Sequence, residues 1–142
     1  MSESTIASEI AADLIKERLC EEGYEIVSTS DEDVFQVKDL ESGLIVTCAL
    51  QDNILFNTLP CFTLSADQIT LEVSRRLLDA DNGIATSAFQ LYELPNGQHS
   101  VAFPNFCKLQ SLGEDDHDDI LSCLSFLFVD VMAARQLLAD FV

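Results

Sequence analysis

Apolar residues recur in two rhythms along this chain. From about Thr5 to Glu22 they fall at helical spacing, with Ile6, Ile10 and Leu14 on one stripe and Ile15 and Leu19 beside it. Gly23 follows, able to take the left-handed conformation that closes a helix, so the first helix is expected to end there. The period then shortens to two. Strand patterns run from Tyr24 to Ser28, Val34 to Lys38, Leu44 to Leu50 and Ile54 to Leu59, separated by Asp31-Glu32-Asp33, Ser42-Gly43 and Asp52-Asn53. This reads as an antiparallel meander. In the third strand Leu44, Val46, Cys48 and Leu50 point one way and Ile45, Thr47 and Ala49 the other, which predicts a central position.

A second helix is predicted from Ser65 to Ala80. Ser65 is its N-cap, Gln68 completes a capping box, and Leu64 is placed to staple against Ile69. Asp81-Asn82-Gly83 stops it. Ala85 to Leu94 and Gln98 to Leu109 then alternate around Asn96-Gly97, a strong hairpin signal. Gly113 and the acidic run from Glu114 introduce a last helix, about Asp115 to Phe141. The three prolines and five glycines are expected between elements. The fold class is α+β: an antiparallel sheet in the order helix-strand-strand-strand-helix-strand-strand-helix, with Ile54 to Leu59 as a possible fourth strand in the meander. With no repeat or linker, residues 1–142 are expected to form a single α+β domain.

Two helices carry more apolar surface than one neighbour needs. On the last helix Ile120, Leu121, Leu124, Leu127, Phe128, Val131 and Leu138 form a central stripe, flanked by Cys123 and Phe141 and extended by Phe126 and Leu137. A helix docked on one sheet needs an apolar arc of only ~100°. Either this helix is sunk between the sheet and the first helix, or part of its surface meets another polypeptide. On the second helix Ile69, Val73, Leu77 and Ala80 face the core, while Leu71 and Leu78 lie on the opposite side. They are either a homodimer contact or two incidentally exposed leucines. Arg135 falls within the apolar arc of the last helix, as a structural ion pair or as a partner for a ligand carboxylate.

Charge narrows the range of partners. The chain has 142 residues, 25 acids and 7 bases, a formal net charge of -18, and 48% hydrophobic residues. An acidic shell repels nucleic acid and anionic lipid, and the few bases are scattered apart from Arg75-Arg76, so direct nucleic-acid binding is not expected. The N-terminus carries an acid where a secretory signal carries positive charge. The longest apolar run, Ile120 to Val129, falls short of the ~20 residues that span a bilayer. No membrane segment and a cytoplasmic location are therefore expected. Cys20, Cys48, Cys61, Cys107 and Cys123 form an odd set without a C-x-x-C pair, as expected of reduced, mostly buried thiols.

Enzyme signatures are absent from the sequence. The glycines are isolated, so there is no phosphate cradle, and neither a G-x-S-x-G elbow, an H-E-x-x-H helix nor zinc spacing occurs. His99 and Cys107 share one predicted strand but are ~26 Å apart along it, too far for a nucleophile and its base. The run Glu114, Asp115, Asp116, His117, Asp118, Asp119 lacks the calcium-loop pattern and suits the N-terminus of a helix. No catalytic residue, metal or cofactor is expected.

The layout of Gly43-Leu44-Ile45-Val46-Thr47-Cys48, Ser65-Ala66-Asp67-Gln68, Leu94-Pro95-Asn96-Gly97 and the apolar terminal helix spans nearly the whole chain. It resembles the fold shared by type III secretion chaperones and the YbjN-like bacterial proteins, and it also looks like the small YjfI-like proteins. That resemblance implies a homodimer that holds an extended segment of another protein, or modulates a regulatory partner, without ATP and without chemistry. The expectation is a non-enzymatic protein-binding domain with Leu71, Leu78, Phe126 and Leu137 at its partner or dimer interface. The alternatives are an acidic nucleic-acid mimic that blocks a DNA-binding protein and an enzyme whose site carries no familiar motif.

Overall fold

A computed structural model describes residues 2–31, 33–84, 87–110 and 114–140, with side chains from residue 12 on except those of residues 30 and 31. The elements are α1 (Ser2–Glu21), β1 (Tyr24–Asp31), β2 (Val34–Asp39), β3 (Ile45–Gln51), β4 (Ile54–Leu64), α2 (Leu71–Leu78), β5 (Gln90–Glu93), β6 (His99–Lys108) and α3 (Glu114–Leu137). One antiparallel six-stranded sheet has the order β1-β2-β3-β4-β6-β5. The class is α+β, as the sequence indicates, but four strands precede α2 where the simplest reading has three. β3 is third of six, the central position its composition predicts.

β4 runs five residues past the predicted end at Leu59. Pro60, expected between elements, lies inside β4, as Pro104 lies inside β6. Neither proline is punctuation; each withholds an N–H from its strand. Gly23, Gly43, Gly83 and Gly97 do occupy turns at positive φ. At Gly97, φ +84, the N–H donates to the Leu94 carbonyl at 3.0 Å, and the Leu94 N–H to the Gln98 carbonyl at 2.8 Å, closing the predicted hairpin.

The predicted second helix is broken. Gln68 accepts from the Ser65 N–H at 2.9 Å as foreseen, but this box caps only a 3-10 turn, Ala66–Gln68. The chain leaves helical geometry at Ile69, and Thr70 starts again, its hydroxyl accepting from the Val73 N–H at 3.2 Å. Two successive caps leave α2 with eight residues, and Ala80 lies exposed beyond its end.

The chain forms two compact units, the first of residues 1–57 and 106–124, the second of residues 58–105 and 125–142. In the first, Ala12, Ile15 and Leu19 are the buried stripe of α1, while Leu14 is only half-buried. Ile6 and Ile10 lie outside the described side chains. Lys16 places its ammonium 5.2 Å from the centroid of the Phe35 ring, which sets α1 over the β2 face that carries Phe35 and Val37. Phe35 pairs with Cys48 and Val37 with Val46, so one face of β2 and β3 is wholly apolar. On the other face Ser28 donates to Gln36 at 2.9 Å and Gln36 to Thr47 at 3.4 Å, a polar row across three strands.

In the second unit Leu64, Val73, Val101 and Leu138 form a buried cluster, with Phe62, Ile69, Leu77 and Phe89 packed against it. The predicted Leu64–Ile69 staple is part of this cluster. Phe89 meets Phe103 at 4.5 Å between ring centroids. Among the described residues of α3, the buried positions Ile120, Leu124, Leu127, Val131, Ala134 and Leu138 step by three or four, so α3 presents one face inward along its length. Leu121 and Phe128 are half-buried, and Phe141 lies outside the described residues.

Candidate functional site

The second unit exposes large apolar side chains on both of its helical segments. Leu71 is 68% exposed and Leu78 78%, seven residues apart on the side of α2 away from Val73. On α3 Phe126 is 48% exposed, Val129 67% and Met132 58%, opposite Leu127 and Val131. Three of the four interface candidates, Leu71, Leu78 and Phe126, are thus at the surface. Leu137 is only half-buried, because its neighbour Leu138 takes the inward position at the end of the helix. Val129 and Met132 were not singled out from sequence, although they complete the i, i+3, i+6 row that begins at Phe126.

Arg135 falls by helical angle within the apolar arc, but the buried arc is narrower than the apolar one, and Arg135 lies outside it with its side chain exposed. Its charge reaches Cys61, a half-buried thiol on β4. Burial pushes Cys61 up to about 12, and Arg135 opposes that rise. Among the described residues of this unit, Arg76 forms ion pairs, 3.7 Å from Glu72 and 3.6 Å from Asp140. Two acids of α3 are nearly buried. Asp130 accepts from the Ser87 hydroxyl at 3.2 Å, and Asp116 from the Gln110 N–H at 2.8 Å. Asp116 is the member of the acidic run that makes a specific contact; His117 lies 3.4 Å from Glu22 at the end of α1. Among the described residues no three His, Cys, Asp or Glu side chains gather as metal ligands.

The first unit has an apolar surface of another kind. Ile45 and Phe56 are 40% and 39% exposed, on the sheet face opposite Val46 and Leu55. Phe106, 63% exposed, brings its ring within 6.1 Å of Phe56. Acids crowd this unit in the runs Glu21-Glu22, Asp31-Glu32-Asp33 and Glu114 to Asp119. In the second unit the acids stand singly, and Arg75, Arg76 and Arg135 offset them. Strong charge and the exposed helical apolar residues therefore belong to different units.

α3 has the length and composition of a membrane-crossing helix, 24 residues with a mean hydropathy of 1.6 over its most apolar window, which the count from Ile120 to Val129 did not anticipate. A third of that window is buried within the protein. The fully buried Leu124, Leu127, Val131 and Ala134 account for part of the hydropathy through packing on the protein's own fold. Phe126, Val129 and Met132 are the large apolar residues it leaves exposed.

No family model matches the chain, and no curated protein matches it in sequence. Its fold matches several solved structures. One is YbjN from E. coli, 11% identical, with a TM-score of 0.64 over 87% of this chain and 90% of that one. Another is an uncharacterized protein from Methanothermobacter thermautotrophicus, 16% identical, with a TM-score of 0.63 over 93% of this chain and 99% of that one. The chain has a YbjN-like fold, and at these identities the likeness concerns the fold alone.

Proposed function

We propose that this chain is a non-enzymatic, cytoplasmic protein-binding domain, chaperone-like or regulatory, that acts as a homodimer. The observation that carries this reading is the exposure of Leu71 and Leu78 on α2 and of Phe126, Val129 and Met132 on α3, all at least 48% exposed within one unit. Single exposed apolar residues are ordinary, but five large ones on two helical segments of one small unit favour a surface that another polypeptide covers. Local charge supports self-association there, since Arg75, Arg76 and Arg135 reduce the repulsion that two copies of a -18 chain would otherwise feel. The acid-rich first unit suits a basic partner. For YbjN a role as a transcription regulator has been proposed, which agrees with a regulatory use of this fold.

Sedimentation velocity at micromolar concentration is the test. A dimer whose stability is insensitive to salt supports an apolar interface, and a monomer overturns the homodimer. Capture of partners at low and high salt separates the second reading, the acidic nucleic-acid mimic, which the acid runs of the first unit favour. Binding to a DNA-binding protein through charge alone weakens steeply with added salt. An apolar contact does not.

A further inference from the structure

We infer that Cys107 and Cys123 form a two-thiol modification site, at which a low-molecular-weight disulfide is reduced and an intramolecular Cys107–Cys123 disulfide is formed. The two cysteines lie on different elements of one unit, β6 and the first half of α3, and each thiol perturbs the ionisation of the other. The Cys123 thiol donates to the carbonyl of Phe106, the residue before Cys107, at 3.7 Å, which places its sulfur beside that cysteine. Their exposures differ in the way an attacking and a resolving thiol require: Cys123 is half-buried, whereas Cys107 is 7% exposed.

The remaining thiols lack this arrangement. Cys48 is buried, Cys61 belongs to the other unit, and Cys20 is exposed on α1. Within the pair, the hydrogen bond from Cys107 favours a thiolate at Cys123, against burial and the nearby Asp119. The same hydrogen bond, then burial, holds the Cys107 proton more tightly.

The exchange runs in two steps. The Cys123 thiolate attacks one sulfur of the small disulfide, whose S–S bond breaks and whose other half leaves with the electron pair and takes up a proton. Cys107 then gives up its proton and attacks the Cys123 sulfur, expelling the second half as a thiol. The protein loses two electrons and two protons, and the small disulfide gains them. Asp116 and Asp119 beside the pair favour a cationic disulfide over an anionic one.

The full chain is incubated with cystamine, a dicationic disulfide, trapped with N-ethylmaleimide and mapped by non-reducing peptide mass spectrometry. Expected are a Cys107–Cys123 linked peptide pair, two hydrogens lighter than the free peptides, and simultaneous loss of both thiols from maleimide labelling. Cys107→Ser should stop at a stable cysteamine adduct on Cys123, and Cys123→Ser should leave Cys107 unmodified. The inference is overturned if Cys123 in the wild-type chain holds the adduct while Cys107 stays open to labelling. It is equally overturned if both thiols remain free while Cys20 takes up cysteamine.

Discussion

The guanidinium of Arg76 donates to the main-chain carbonyl of Leu137 at 3.3 Å, tying α2 to the last turn of α3. That carbonyl is among those a helix end leaves without an intrahelical donor, and a cation there also suits the helix dipole. Replacing Arg76 with Met keeps most of the stem and removes the donor, so about 1 kcal/mol of stability is expected to be lost. Glu72→Gln, which removes only an exposed ion pair, should cost under about 0.5 kcal/mol. Urea midpoints for the two variants check the ranking.

Two positions two residues apart on α3 provide an internal contrast. Leu127 is fully buried and Val129 is 67% exposed. Leu127→Ala is expected to cost about 2–5 kcal/mol and Val129→Ala under about 0.5 kcal/mol in the monomer. Equal losses in chemical denaturation would contradict the inward face assigned to this helix.

If α2 contributes to a dimer, then Leu71→Glu with Leu78→Glu should give a monomer with an unchanged far-UV circular dichroism spectrum. Both side chains are free of the core, and the new charges would face their own copies across the contact. Sedimentation of the double variant beside the parent chain reads this out, and persistence of the dimer would move the contact elsewhere.

The two caps before α2 should differ in weight. Thr70 caps the α-helix itself, whereas Ser65 caps a single 3-10 turn. Thr70→Ala is expected to lose about 1 kcal/mol, and Ser65→Ala less. A thermal melt that ranks Ser65→Ala as the costlier change would reverse this assignment.

Alkaline pH should destabilise the fold partly through Cys48, whose burial pushes its thiol from 9.0 up to about 12. Below 9 the thiol is protonated in both folded and unfolded chains, and its contribution is fully present. Between 9 and 12 the unfolded chain gives up the proton while the folded one retains it, so stability falls as pH rises. Denaturation at pH 8 and pH 11 should show a smaller loss for Cys48→Ala than for the parent.

Much of this architecture was legible because its signals are local. Period-two runs marked β1 to β3, Asn96-Gly97 marked the last hairpin, and the helical stripe of α3 placed Leu124, Leu127, Val131 and Leu138 inside. The errors have local causes too. Pro60 is expected between elements, yet one missing donor did not stop β4. Ser65 and Gln68 gave a correct cap, but nothing there revealed that Thr70 would cap again.

The candidate surface was only partly legible. Leu71, Leu78 and Phe126 follow from helical angle, which fixes the side of a helix a residue occupies. Arg135 does not, since the width of the buried arc depends on what packs beside it. Cys107 and Cys123 are apart in sequence and on different kinds of element, and only tertiary packing brings their sulfurs together.

The borders of the sheet are spoiled in different ways. β1 slips register twice, between Ile26 and Ser28 and again between Thr29 and Asp31, while β5 is only four residues long and exposed throughout. Bulged or very short outer strands are poor templates for a further strand. Lateral growth into fibrils is thereby discouraged at both rims, which leaves a chain with so many uncovered aliphatic and aromatic side chains free to associate through its helices and not through its backbone.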